Sequence, residues 1–140
     1  MEALTVVREF LRAENTRNWG HWASYLDPNV TYEVIGSNRV VSGREAYTAH
    51  MQRVYVELPD WKFELVSVAA ADCVVFVEFL GNGHFSGEYN GRRYERAPLN
   101  LTAVCVFELS EGLILAVREY VDHAGYEHQL NLAAPLQPGA

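Results

Sequence analysis

Asp122, Glu33, His50 and Glu78 are the side chains whose types and placement could do acid/base chemistry. Ile114, Ala116, Arg118, Tyr120 and Asp122 fall on one face of an alternating run, so an apolar stripe ends in polar groups. A carboxyl group walled in by apolar side chains loses hydration and holds its proton more tightly. It can then take a proton from carbon or water near neutral pH. Asp122 is equally suited to cap a helix over 124–132 or to pair with Arg118. Glu33 lies opposite Tyr32 and Val34 under strict alternation, so only one of these sets can face a cavity unless the strand bulges. His50 shares a helical face with Tyr47, Met51 and Val54. There it is either a general acid in a cavity or a histidine satisfied inside the core. Glu78 sits on the face of Val74, Phe76 and Leu80, where an unpaired charge is costly, so it must meet an arginine or face a cavity.

The aromatic residues Trp19, Trp22, Tyr32, Tyr47, Tyr55, Trp61, Phe76 and Tyr120 suffice to wall a pocket for a flat, mostly apolar ligand. Asn100 and Thr102 share a face with Val104 and Val106 on a neighbouring strand and would add polar contacts. His84 with Glu88, and His123 with Glu127 and His128, carry ligand-capable groups without a convergent third partner, so no metal is expected. Cys73 and Cys105 sit in apolar runs with no CxxC spacing and read as buried free thiols. The glycine-rich stretch 81–91 joins two strands, opens no helix, lacks the helix-dipole phosphate cradle, and reads as a mobile loop or an irregular hairpin, with a lid at a pocket mouth as one use of it.

These groups need elements to hold them. Leu4, Val7, Phe10 and Leu11, then Trp19, Trp22, Tyr25 and Leu26, recur at helical spacing and predict two helices. Asp27-Pro28-Asn29 turns the chain into a short strand over 30–35. Ser42 with Glu45 forms a capping-box pattern before a third helix through Tyr55. Trp61, Phe63 and Leu65 then alternate with Lys62 and Glu64 as a strand, and the phase slips at 66–68, predicting a bulge or an end. Strands over 73–80, 99–109 and 113–122 follow, the last two joined by the 110–112 turn. Helices followed by an antiparallel meander are an α+β layout.

The chain has 140 residues, 49% of them hydrophobic and 12% aromatic, enough for one core. Eleven Lys plus Arg against 18 Asp plus Glu leave a net charge of -7, the wrong sign for a nucleic-acid partner. No apolar run is long enough for a membrane helix, and the start lacks a signal-peptide layout, so the expectation is a cytoplasmic protein. Residues 1–132 read as a single domain and 133–140, with Pro135 and Pro138, as a flexible tail.

Several strings resemble the nuclear transport factor 2-like cone fold, shared by SnoaL-type polyketide cyclases, ketosteroid isomerases and limonene epoxide hydrolases. They are Asn18-Trp19 through Tyr25-Leu26-Asp27-Pro28-Asn29-Val30-Thr31-Tyr32, then Ser42-Gly43-Arg44-Glu45-Ala46, and finally Glu111-Gly112-Leu113-Ile114 with Arg118-Glu119-Tyr120-Val121-Asp122. The resemblance implies a cone-shaped barrel, a curved and mainly antiparallel sheet packed on three N-terminal helices, with the pocket between the concave face and the third helix. It places Asp122 at the acid/base aspartate of the cyclases and hydrolases, and Glu33 near the proton-shuttling aspartate of the isomerases.

The family patterns are incomplete in this chain. The hydrolase asparagine falls on Val34, and its arginine and second aspartate fall near Phe79 and Gly81. The isomerase oxyanion donors fall near Phe10 and Thr102. The resemblance therefore implies a cofactor-independent acid/base isomerase or cyclase, acting on an apolar polyketide- or steroid-like molecule and forming a homodimer. Its expected catalytic residues are Asp122, Glu33 and His50. The expected substrate contacts are Trp22, Tyr32, Tyr47, Met51, Tyr55, Trp61, Phe76, Glu78, Asn100, Thr102, Arg118 and Tyr120. The alternatives are epoxide hydrolysis of the limonene type and a non-catalytic ligand-binding or assembly domain.

Overall fold

The computed structural model describes residues 2–133. Ten elements follow in the order α1 (Ala3–Asn15), α2 (Trp19–Ser24), β1 (Leu26–Val34), β2 (Val40–Ser42), α3 (Arg44–Glu57), β3 (Lys62–Ala71), β4 (Val74–Tyr89), β5 (Arg92–Ser110), β6 (Leu113–Val121) and α4 (His123–Leu132). The strands make one six-stranded sheet in the order β2-β1-β6-β5-β4-β3. All neighbours are antiparallel except β1 and β6, which run parallel. Because β2 and β3 remain edges, the sheet curves without closing, and the expected barrel is an open α+β cone.

Helix α1 buries Val6, Val7, Phe10, Leu11 and Ala13 along one stripe. Arg17 then takes a left-handed φ of 58°, and the Asn18 side chain accepts the His21 N–H to start α2. These two steps turn Trp22 into the core, where it is fully buried. Its ring stacks on Phe10 with centroids 4.8 Å apart and meets Tyr47 edge-on at 4.8 Å. Helix α3 lays Tyr47, Met51 and Tyr55, one turn apart, against the sheet.

One local expectation changes and two open ones are resolved. Ser42 does not cap α3: it belongs to β2, and Gly43 at a φ of 99° is the cap residue, without a side-chain hydrogen bond. The short strand β2 itself had no distinct sequence signal. The phase slip after Leu65 is a bulge, since β3 continues to Ala71 with a register shift against β4 between Leu65 and Ser67. The glycine-rich stretch is the irregular hairpin rather than a loop or lid, with a register shift between Phe85 and Gly87. β4 continues to Tyr89, and the turn falls at Asn90-Gly91, both at positive φ. Gly81 and Gly83 are needed there because the Trp61 indole lies against the strand, and a Cβ on Gly81 would overlap its ring. From residue 134 onward the expected tail lies outside the described residues.

Candidate active site

Between α1, α3, α4 and the concave face of the sheet lies a cavity of about 360 Å³. It adjoins a deeper recess of about 30 Å³, room for one or two waters. Two carboxylates, Glu14 and Glu119, face both spaces. Their surroundings are mostly apolar and aromatic: Phe10, Met51, Phe63, Phe79 and Phe107.

Glu14 is the last acid on the buried stripe of α1, following Val7, Phe10 and Leu11 at helical spacing. Its Oε2 accepts the Tyr55 hydroxyl at 2.6 Å and its Oε1 accepts the Trp22 indole N–H at 3.2 Å. Loss of hydration outweighs those donors and pushes its pKa up to about 7, with Glu119 adding repulsion. Arg17 lies 3.7 Å over the Tyr55 ring and donates to the Trp61 carbonyl at 2.6 Å, which fixes that tyrosine from behind.

Glu119 projects from β6 between Val117 and Val121. Its Oε2 accepts the Tyr32 hydroxyl at 2.6 Å, and the Cys105 thiol approaches Oε1 at 4.0 Å. Oε1 is therefore the less occupied carboxylate oxygen at the cavity. Desolvation raises its proton affinity as well, while the Tyr32 bond and His123 oppose the change. Tyr47 stacks on Tyr32 at 4.5 Å and lines the recess. Among the described residues its hydroxyl has no hydrogen-bond partner. Burial holds the Tyr32 and Tyr47 phenols protonated, so both act as donors.

The structure brings together Tyr32, His50, Met51, Tyr55 and Trp61 on the cavity wall, with Tyr47 at the recess. His50 is half-buried, 5.6 Å from the Tyr32 ring, and burial with Arg53 nearby lowers its pKa, so it is neutral at pH 7. Trp22 acts one layer back, through its bond to Glu14.

The remaining expected residues lie elsewhere. Asp122 is exposed and caps α4, accepting the Gly125 N–H at 2.8 Å. Glu33 points away from Tyr32, outside the cavity. Phe76 and Tyr120 are 43% and 47% exposed on the outer face, and Glu78, on the same face, accepts the Ser67 hydroxyl at 2.9 Å. Arg118 pairs with Glu108 at 2.5 Å, and Thr102 is exposed. The Asn100 backbone is clamped by the Gln129 carboxamide through two 2.7 Å bonds. His84 is bonded to Asp60 at 2.6 Å, and among the described residues no three His, Cys, Asp or Glu side chains converge as metal ligands.

One irregularity accounts for the exchange of Asp122 for Glu119. Glu108 pairs with Ala116 but Leu109 pairs with Ile114, so Leu115 is an extra residue in β6. Counting by twos from the buried Ile114 predicts that Arg118, Tyr120 and Asp122 face inward. The bulge flips the parity, and Val117, Glu119 and Val121 face the cavity instead. The usable signals were an acid on the apolar stripe of α1 and an acid flanked at two-residue spacing by Val117 and Val121.

The model of the SnoaL-like domain family matches residues 7–117. No curated protein matches the chain. Among solved structures, a protein titled a SnoaL-like polyketide cyclase from Jannaschia sp. CCS1 superposes with a TM-score of 0.84 at 16% identity, over 94% of this chain and 93% of that one. An LEH-like epoxide hydrolase of M. tuberculosis gives 0.76 at 18% identity, over 94% and 90%. A protein titled a ketosteroid isomerase from Kribbella flavida DSM 17836 gives 0.67 at 21% identity, over 85% and 76%. At these identities the likeness speaks to the fold. With the family model spanning most of its length, the chain belongs to the SnoaL-like domain family.

Proposed function

We propose that this protein isomerises or cyclises an apolar carbonyl compound by acid/base proton transfer in the cone cavity, with Glu119 as the base. The observation that carries this reading is the pair of buried carboxylates, each held by a tyrosine hydroxyl at 2.6 Å, facing one aromatic hollow. Glu119 Oε1 takes a proton from the carbon next to the carbonyl, and the electron pair moves onto the substrate oxygen. A recess of about 30 Å³ accepts little more than an oxygen atom. There the Tyr47 hydroxyl and the neutral Glu14 acid can donate to the developing oxyanion. Returning the proton from Glu119 to another carbon completes an isomerisation; in a cyclisation the enolate carbon attacks a second carbonyl, whose π electrons move to its oxygen, and Glu119 returns the proton to that alkoxide, in neither case with a change of oxidation state. The step asks for no cofactor.

A substrate-independent assay is exchange of the α-protons of 2-tetralone into D2O, followed by proton NMR from pH 5 to 9. Glu119 must be ionised, so the rate climbs as pH passes its raised pKa. Glu14 must be protonated, so the rate falls above about pH 7, where Glu14 titrates. A bell-shaped profile is expected. Exchange no faster than in buffer across the range overturns the reading.

The two carboxylates beside a recess of water size also support a second reading, addition of water to an epoxide. An epoxide of the same tetralin skeleton, turned over to diol while tetralone protons stay put, would select it. Exposed Phe76 and Tyr120 on the outer face support a homodimer packed through that face. Sedimentation at micromolar concentration is expected to give twice the chain mass, and a monomer removes the proposal.

No helix among the described residues is long and apolar enough to cross a membrane.

A further inference from the structure

The mouth of the cavity differs chemically from its floor. Three rings, Phe85, Tyr89 and Tyr126, line the cavity on the side of Glu57 and pack on one another at steep angles. Tyr89 and Tyr126 have centroids 5.1 Å apart at 56°, and Phe85 and Tyr126 are 6.2 Å apart at 69°. Glu57, at the end of α3, lines the same entrance and reaches across to Gly87, where a Cβ would strike its carboxylate. Among the described residues it makes no ion pair or hydrogen bond. The Tyr89 hydroxyl donates to Glu127 at 3.1 Å, which orients the ring and sets a second acid behind it.

No lysine or arginine is among the residues lining the cavity, whereas Glu14, Glu57 and Glu119 all are. The other titratable groups facing the entrance are His50, held neutral by burial, and His123. Ring faces carry negative potential, and rings set at an angle around a carboxylate attract a cation more strongly than either feature alone. The same entrance repels a carboxylate or a phosphate.

We propose that Phe85, Tyr89, Tyr126 and Glu57 form an ammonium subsite, and that the substrate carries a protonated amine at the end opposite its reacting carbonyl. This deepens the proton-transfer reading of the same cavity and rests on it for the orientation of the substrate. The amine is held at the mouth, and the apolar body lies along Trp61, Phe79 and Leu101. The carbonyl is thereby delivered to Glu119. Anionic relatives of the substrate are excluded at the entrance.

The test compares three tetralones substituted at the ring position far from the ketone with aminomethyl, hydroxymethyl or carboxyl, titrated into the protein by calorimetry at pH 7.5. The aminomethyl compound is expected to bind about tenfold tighter than the hydroxymethyl one, and the carboxyl compound about tenfold weaker. Glu57→Gln and Tyr126→Leu should each bring the amine and the alcohol to within about twofold, while alcohol binding reports that the fold is intact. Equal affinity of amine and alcohol in the wild type, or undiminished binding of the carboxylate, overturns the subsite. Proton exchange is read separately by NMR. Exchange without amine preference refutes the subsite alone, and amine preference without exchange refutes the proton-transfer reading alone.

Discussion

Glu119→Gln is expected to slow tetralone proton exchange by about 10²- to 10⁴-fold, the range that a positioned general base contributes. The amide keeps the size of the side chain, and its oxygen can still accept the Tyr32 hydroxyl, so the loss reports chemistry rather than collapse. Melting temperature within a few degrees of wild type and unchanged affinity for the neutral tetralone would confirm that separation. Asp122→Ala is the matched control. It removes the cap on α4 and is expected to cost about 1 kcal/mol of stability. Exchange in that variant should stay within about twofold of wild type. If Asp122→Ala lost the activity and Glu119→Gln kept it, the assignment of the base to the bulge-shifted face of β6 would be wrong.

Glu14→Gln should change how stability depends on pH. Glu14 titrates near 7 in the fold against about 4.5 for an ordinary glutamate, because burial disfavours its charge. Between those values the folded chain keeps a proton that the unfolded chain releases. The stability contributed by the neutral acid is therefore complete below about pH 4.5, and it is lost as pH rises through 7. At ~1.4 kcal/mol for each tenfold change in proton affinity, the loss at high pH is on the order of 3 kcal/mol. Glutamine stays neutral, its oxygen can accept the Trp22 N–H, and its amide can donate to the Tyr55 oxygen. Urea midpoints measured between pH 5 and 8 should fall for wild type and fall much less for the variant, which becomes the more stable of the two at pH 8. The same substitution should remove the alkaline limb of the exchange profile. Parallel slopes for the two proteins would show that Glu14 carries no unusual proton.

Both substitutions touch groups that hold a cost in the resting protein. Glu14 and Glu119 are kept in an apolar hollow where each would be more stable hydrated. The hydroxyls of Tyr55 and Tyr32, the Trp22 indole, the weak Cys105 donor and nearby His123 offset part of that loss. Arg17 contributes without entering the cavity, since its guanidinium lies over the Tyr55 ring and lowers the proton affinity of both Tyr55 and Glu14.

Apart from β2, the order of helices and strands and the α+β class were legible in the residues themselves, because 3.6- and 2-residue periodicities are local properties of the chain, while the family was legible through the resemblance of particular strings. So were the aromatic wall of Tyr32, Tyr47, Tyr55 and Trp61 and the bulge in β3, which the slip at Val66 announced. Which acids face the hollow was not legible. A strand read by alternation carries its inward face only as far as the next irregularity, and the extra residue Leu115 appears only when β6 is laid against β5. Glycine content left a loop and an irregular hairpin open at 81–91, and the choice came from packing the Trp61 indole on β4, which demanded bare backbone there, a requirement set by a partner twenty residues away. Composition and period decide what a segment becomes. The floor of the cavity, where a helix acid and a strand acid meet across more than a hundred residues of chain, is decided by register, and register exists only between segments.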